Sequence, residues 1–199
     1  GDAEKNSAYP KVGTQTAREI LTTLRDEADR LFDNAMTRNN GTTDHVVYRS
    51  YHPLYWTNPF LENLYDTYGT NEPRDFEPMY FDTELERNAA FILLQSSTFY
   101  HYWMTYENQR DLNWGPIEAF PFPEQEALEP HEQEINSIAD DMWTEMKAQF
   151  DGRNIPHGDL LKPMADRADD VLGPLLGLSE EHIEWLKDYH TEFGRAPDQ

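Results

Sequence analysis

The chain has 199 residues, with 38 Asp or Glu against 16 Lys or Arg, a formal net charge of −22 and no cysteine. This composition excludes a disulfide framework, a thiolate zinc site and a cysteine nucleophile. The length fits one domain or a domain with an appended subdomain, and an aromatic content of 13% is enough to fill a core.

The acidic residues are spread along the whole chain instead of being gathered in a tail. An even acidic coat is typical of a halophilic protein, because at about 1 M salt the Debye length is about 3 Å and self-repulsion is screened. An acidic mesophilic protein with a basic partner is the alternative. No apolar run approaches the roughly 20 residues of a membrane helix, and the start Gly1-Asp2-Ala3-Glu4 has no signal-peptide pattern. We therefore expect a cytoplasmic protein with no membrane partner.

In chain order, Thr16 and Glu19 fit a capping box, and apolar residues follow at helical spacing to Met36, which predicts one helix ended by Asn39-Asn40-Gly41. Residues 45–51 and 54–57 are rich in β-branched and aromatic side chains and predict short strands. Residues 76–81 predict a third strand, which Pro78 places at a sheet edge.

A second capping box, Thr83 and Glu86, starts a helix predicted to reach about Glu107. This helix is apolar over most of its surface, which predicts a central position in the fold. Three prolines make residues 112–123 extended in this prediction. The chain becomes helical again from Pro130.

Two further helices are predicted, over 161–176 with a break near Gly173-Pro174, and over 179–193 with Ser179 as N-cap. The predicted fold class is therefore α+β and helix-rich, with a few short strands, a central apolar helix and a helical C-terminal subdomain. We place the boundary between an α+β region at 1–123 and the helical subdomain at 124–199.

Signals for catalysis are weak. The acid pairs Asp140-Asp141, Asp169-Asp170 and Glu180-Glu181 are most simply solvated. His101 lies on the apolar helix with Ser97 and Thr105 one turn away, so a solvated or packed histidine is favoured over a metal ligand. Asn58-Pro59 matches only half of the Asn-Pro-Pro-Tyr tetrapeptide of amino-methyltransferases and is interpreted as a turn. No catalytic or metal-binding residue is assigned.

Arginine, asparagine and aromatic side chains cluster in two places, 48–56 and 100–114. Arg and Asn are the side chains that read guanine and adenine edges, and aromatic rings can stack on bases or wedge between them. The alternative is that most of these aromatic residues belong to the core. The candidate DNA-binding residues are Arg49, Tyr55, Asn108, Arg110, Asn113 and Trp114.

Residues 94–123 resemble a segment of the N6-adenine DNA methyltransferases of restriction-modification systems, including the fused type IIG enzymes. In that family an Asn-Ser-Ser-x-Phe-Tyr-x-x-Trp-like helix is followed by a cation, a Leu-Asn pair and an apolar-Pro turn. Gln95 stands where the family commonly has Asn. The residues that match are Ser96, Ser97, Phe99, Tyr100, Trp103, Arg110, Leu112, Asn113, Phe120 and Pro121. Looser similarity covers 10–13, 47–56 and 177–189.

The resemblance implies the C-terminal target-recognition region of such an enzyme, with double-stranded DNA and a catalytic domain of the same parent chain as partners. S-adenosylmethionine and the methyl-transfer motif would belong to that separate N-terminal domain. No cofactor is therefore expected in this chain, which alone should be inactive.

The charge argues against DNA binding, because affinity for phosphates comes from Lys and Arg. A positive face made by Arg49, Arg74 and Arg110 would answer this objection. Two alternatives stay open: a protein–protein docking module of a larger defence enzyme, with Trp143 or Trp185 as exposed anchors, and a stand-alone enzyme built on carboxylates.

Overall fold

The computed structural model describes residues 13–26, 30–37, 43–50, 57–69, 76–107, 111–150 and 158–193. The helices and strands, in chain order, are α1 Gln15–Asp26, α2 Phe32–Ala35, β1 Val46–Ser50, α3 Leu64–Tyr68, β2 Phe76–Tyr80, α4 Glu84–Leu94, α5 Ser97–Tyr106, α6 Trp114–Glu118, α7 Gln125–Leu128, α8 Glu132–Gln149, α9 Gly158–Leu175 and α10 Glu180–Phe193. A 3-10 turn, Glu129–His131, joins α7 to α8. The predicted helix-rich α+β class is confirmed.

The first predicted helix is two helices. The hydroxyl of Thr14 accepts the backbone N–H of Ala17 at 3.1 Å, so the cap lies two residues before the predicted capping box at Thr16. The chain then leaves the helical conformation, because Leu31 has extended backbone angles and pairs with Pro121 before α2 begins. Helical spacing continues across this break and hides it from the sequence.

The predicted strands over 45–51 and 76–81 are confirmed as β1 and β2. They form an antiparallel pair in which Arg49 lies opposite Glu77 and Tyr48 lies opposite Pro78. Proline is tolerated because Tyr48 exchanges its backbone hydrogen bonds with Phe60, so Pro78 faces it in a non-hydrogen-bonded pair and its nitrogen points away from β1. Of the strand predicted over 54–57, residues 54–56 lie outside the described residues, and Thr57 belongs to no strand.

The predicted central helix is interrupted. Helix α4 ends at Leu94, and α5 begins after Ser96, whose hydroxyl accepts the N–H of Phe99 at 3.1 Å. The Thr83 cap of α4 is confirmed, since its hydroxyl accepts the N–H of Glu86 at 3.2 Å. Both helices are largely buried, which explains why the apolar pattern continues through the break.

Two predictions based on proline were wrong. Residues 114–118 form α6 because Pro116 sits in its first turn, where a missing N–H breaks no helical hydrogen bond. Helix α9 continues through Gly173 and Pro174 to Leu175. It ends in a Schellman motif, in which Leu178 N–H bonds Gly173 O at 3.0 Å and Gly177 has a positive φ of 77°.

The C-terminal helices complete the core around α4 and α5. The predicted stripe on α8 is buried, and Ser179 caps α10 through the N–H of His182 at 3.2 Å. Helices α8 and α9 pack on α4, and α10 packs on α5. The boundary predicted at 123/124 therefore falls between α6 and α7, and the regions on its two sides contribute to one cluster of buried side chains.

Candidate nucleic-acid interface

A charged pair spans the hairpin. Arg49 on β1 and Glu77 on β2 are directly opposite in the antiparallel register, so both side chains lie on the same face of the pair. The Arg49 guanidinium donates a hydrogen bond to the Glu77 carboxylate. The Arg49 residue is only 3% exposed, whereas 45% of the Glu77 side chain remains in contact with solvent. The pair thus joins a buried cation to a carboxylate at the surface.

Arg49 also binds the chain that leads into α6. Its guanidinium donates to the backbone carbonyl of Leu112. The guanidinium carbon lies 4.1 Å from the centroid of the Trp114 ring, which is a cation–π contact. One side chain of the hairpin therefore holds two successive parts of the segment 112–114.

The residues before α6 are anchored to α5 as well. The Trp103 indole N–H donates to the carbonyl of Asp111 at 3.1 Å. The Asn113 amide donates to the Glu107 carboxylate at 3.1 Å. Asn113 is the N-cap of α6, yet its side chain makes no capping hydrogen bond there. Contacts from other parts of the fold, and not a local cap, hold the start of this five-residue helix.

Trp114 also borders a cleft of about 430 Å³ beside the hairpin. The volume lies within the range of small-molecule sites, although the cleft is open to solvent. The carboxylates of Asp33 and Glu118 lie along it, and these charges oppose binding of a phosphate. Other lining residues are Met36, Thr37, Pro78, Met79 and Tyr80.

The structure brings three of the six predicted DNA-binding residues together. Arg49 contacts the Leu112 carbonyl and the Trp114 ring, and Asn113 lies between these two residues in the chain. Asn113 and Trp114 are partly exposed. The other three, Tyr55, Asn108 and Arg110, lie outside the described residues, as does Arg74. Of the proposed positive face, Arg49 alone is described, and its charge is balanced by Glu77.

The Asn58-Pro59 step is part of the interior. Asn58 is 2% exposed and has a φ of 38°, in the left-handed region that Asn tolerates better than most residues. The hydroxyl of the preceding Thr57, which is fully buried, donates to the carbonyl of Leu94. This placement fits the interpretation as an irregular turn, because a target amine has no access to a buried Asn.

Asp169 corrects one prediction from the sequence. It was expected to be solvated like Asp170, yet it is 1% exposed. Its carboxylate accepts the N–H groups of Ser97 and Thr98 at 2.9 and 3.0 Å, and the Thr98 hydroxyl at 2.6 Å. Burial raises the pKa of Asp169, and these hydrogen bonds oppose the rise. The acid therefore binds the N-terminus of α5 and has no access to a substrate.

The spacing of Asp169 along α9 indicates that it is buried. The residue lies four positions after Ala165 and three before Leu172, both buried on α9, so it falls on the apolar face. The charge of the side chain concealed this position. The partner of Arg49 was missed for a different reason, because Glu77 follows from the strand register and not from either strand alone.

His101 packs between aromatic rings, which is the packed one of the two expected alternatives, a solvated or a packed histidine. Its ring centroid lies 5.2 Å from that of Trp185 and 4.8 Å from that of Tyr189, both on α10. Burial lowers the pKa of His101 to about 4, because the charged form loses its hydration. Neither ring nitrogen has a hydrogen-bond partner among the described residues. The histidine is a neutral packing residue between α5 and α10.

The described part of the chain contains neither a metal-binding cluster nor a membrane-spanning helix. Within it, no group of three or more His, Asp or Glu side chains is placed to hold a metal ion. None of its helices is both long enough and apolar enough to cross a membrane. Comparison of the chain with protein-family models, curated proteins and solved structures found no match.

Proposed function

We propose that the chain is a DNA sequence-recognition domain of an adenine-N6 DNA methyltransferase or methyltransferase–restriction enzyme, whose catalytic domain lies in the same parent chain. S-adenosylmethionine would bind that catalytic domain. In the complete enzyme this region would hold the duplex while the target adenine is turned out of the helix into the catalytic pocket.

The support comes from residues 94–123, the segment that carries the family resemblance. Its apolar residues that match the family pattern are buried, whereas two of its candidate DNA-binding residues are partly exposed. The apolar members of the pattern are in the core, with Phe99 and Phe120 fully buried and Trp103 and Leu112 1% exposed. Asn113 stays partly exposed, as does the adjacent Trp114. The pattern thus builds a buried frame and presents a polar and aromatic surface beside it.

The acidic net charge limits how such a domain would bind DNA. With −22 charges, phosphate neutralisation cannot supply much affinity. Recognition would depend on base edges, DNA shape and stacking, which lose less affinity in concentrated salt. This requirement agrees with the choice of Asn113 and Trp114, neither of which is a cation.

The alternative, a docking module of a larger defence enzyme, loses one of its proposed anchors. Trp143 is 6% exposed and donates to the Glu62 carboxylate at 3.2 Å, so it is part of the fold. Among the described residues, the large apolar side chains that are exposed are Leu31, Tyr68 and Leu160, on three separate segments.

Selection from a randomised duplex pool in molar KCl tests the proposal. The chain and its parent protein are each used to capture DNA, and the bound fraction is sequenced. We expect enrichment of one short motif, lost with Arg110→Ala. The matched control is Arg167→Ala, because Arg167 is exposed on α9 and pairs with Asp141 at 2.7 Å. If neither protein enriches a motif, or if both variants behave alike, the proposal is wrong.

A further inference from the structure

Arg49 has contacts that differ from those of a DNA-reading arginine. Readout of a guanine uses both arms of an exposed guanidinium. Here the group is buried, and its surroundings include a carboxylate, a backbone carbonyl and an indole ring. To reach DNA, the side chain would have to leave Glu77, Leu112 and Trp114 together.

The same contacts determine where Trp114 lies. Helix α6 has five residues and would be marginal in isolation. Its first residue is Trp114, and its N-cap side chain is directed to Glu107. The direction in which the indole faces the cleft therefore depends on the ring contact with Arg49 and on the bond to Leu112 just before the helix.

We propose that Arg49 is a positioning residue, which holds Trp114 and Asn113 in place for contact with a nucleobase and makes no DNA contact itself. This inference rests on the proposed function and changes the role of Arg49 from the one the sequence predicts. The base-contacting side chains at this edge are then Asn113 and Trp114. Glu77 balances the charge of Arg49, so the guanidinium can stay buried in contact with Leu112 and Trp114.

The chemistry of the site requires arginine and not just a cation. A planar guanidinium can donate in its plane to Glu77 and to Leu112 while its face covers the Trp114 ring. Lysine presents a compact, strongly hydrated charge on a flexible chain and cannot satisfy these three directions at once. Arg49→Lys therefore keeps the charge but should lose the positioning.

The first experiment needs no DNA. The full chain is labelled with 5-fluorotryptophan, and the five indole resonances are assigned by single Trp→Phe variants. In Arg49→Lys and Arg49→Met the Trp114 resonance should move and gain a solvent-isotope shift, while Trp143 stays in place. Arg167→Lys, at an exposed ion pair, is the matched control. An unmoved Trp114 resonance in the folded Arg49 variants overturns the inference.

The second experiment separates positioning from contact. The affinities of the wild-type chain and of Arg49→Met, which removes the charge, are measured for the selected duplex over a range of KCl concentrations. A lost phosphate contact lowers the slope of log K against log salt by about 1. A positioning residue should leave this slope unchanged while affinity falls about tenfold. With Trp114→Ala in the background, Arg49→Lys should then have little further effect.

The two experiments distinguish failure of the proposed function from failure of the positioning role of Arg49. If the wild-type chain and its parent select no motif, the proposed function is wrong, and the fluorine experiment still decides whether Arg49 positions Trp114. If DNA binds and the charge-removing Arg49→Met reduces the salt slope, or if Arg49→Lys relaxes one base preference independently of Trp114, Arg49 is a contact residue and the inference is overturned.

Discussion

Two contacts between elements, called joints below, each contain one buried charged side chain. The two charges are balanced by different kinds of partner. At the joint between α9 and α5, Asp169 is enclosed and accepts from backbone and hydroxyl groups of Ser97 and Thr98. At the joint between the hairpin and α6, Arg49 is buried while its partner Glu77 remains half exposed. The first joint is sealed in the core, and the second opens to solvent where ligands can approach.

The difference separates a charge enclosed in the core from one that solvent can reach through its partner. A carboxylate at a helix N-terminus is stabilised by N–H groups and by the helix dipole, and the described residues contain no cationic partner for Asp169. A guanidinium beside a half-exposed carboxylate can be influenced by salt, because ions reach the carboxylate. Changes at the first joint should therefore affect stability, and changes at the second should affect binding.

The largest effect is expected for Asp169→Ala. The substitution leaves the N–H groups and the hydroxyls of Ser97 and Thr98 without their acceptor in the core, so the free energy of unfolding should fall by roughly 3–5 kcal/mol. Urea denaturation measures this change. Asp170→Ala is the matched control, because Asp170 is exposed, pairs with Lys187 at 2.6 Å and should cost less than about 1 kcal/mol. Equal losses in the two variants would contradict the comparison.

Next in size is the pH dependence caused by His101. Its folded pKa of about 4 lies below the ordinary value of 6.5, so the unfolded chain takes up a proton first as the pH falls. Stability should therefore decrease between pH 6.5 and about 4, by about 3 kcal/mol at most. His101→Phe keeps a ring against Trp185 and Tyr189 and should remove this part of the pH dependence.

The measurement for His101 is the difference between the two proteins' unfolding free energies across that pH range, with the value at pH 8 as the reference for any change in packing. Carboxylates titrate in both proteins and cancel in the difference. A flat difference curve would mean that His101 takes up its proton equally easily in the folded and unfolded chains.

The smallest effect is expected for Glu77→Gln. Gln keeps an acceptor for Arg49 but removes the carboxylate that balances a buried guanidinium. Because that carboxylate is 45% exposed, the unfolding free energy should fall by only about 1–2 kcal/mol. Because solvent reaches the carboxylate, the loss should be smaller at about 2 M than at about 0.2 M KCl. A loss as large as that of Asp169→Ala would mean that both joints belong equally to the core.

Local patterns were enough to predict most elements of the fold. The Thr83 and Ser179 caps, the stripe on α8 and the two strands follow from signals within a few residues. The break between α1 and α2 was missed because helical spacing continues across it. The break between α4 and α5 was missed because both helices are largely buried and stay apolar through their ends. At Ser96 the serine itself was the available signal.

The candidate site could be predicted less completely, since its contacts join distant parts of the chain. The sequence indicated Arg49, Asn113 and Trp114 as chemical types but not that Arg49 lies beneath Trp114. That relation depends on the register of β1 with β2 and on the path of residues 111–114, which no local spacing encodes.

The capping of α5 by Asp169 also has a consequence for the order of synthesis. The acceptor of the Ser97 N–H lies 72 positions later in the chain, so it leaves the ribosome long after α5 itself. Until α9 arrives, the start of α5 lacks its acceptor and the apolar faces of α4 and α5 lack their cover. A nascent chain at that stage exposes surface of the kind that chaperones bind. A fragment ended at residue 123 would remain in that incomplete state permanently.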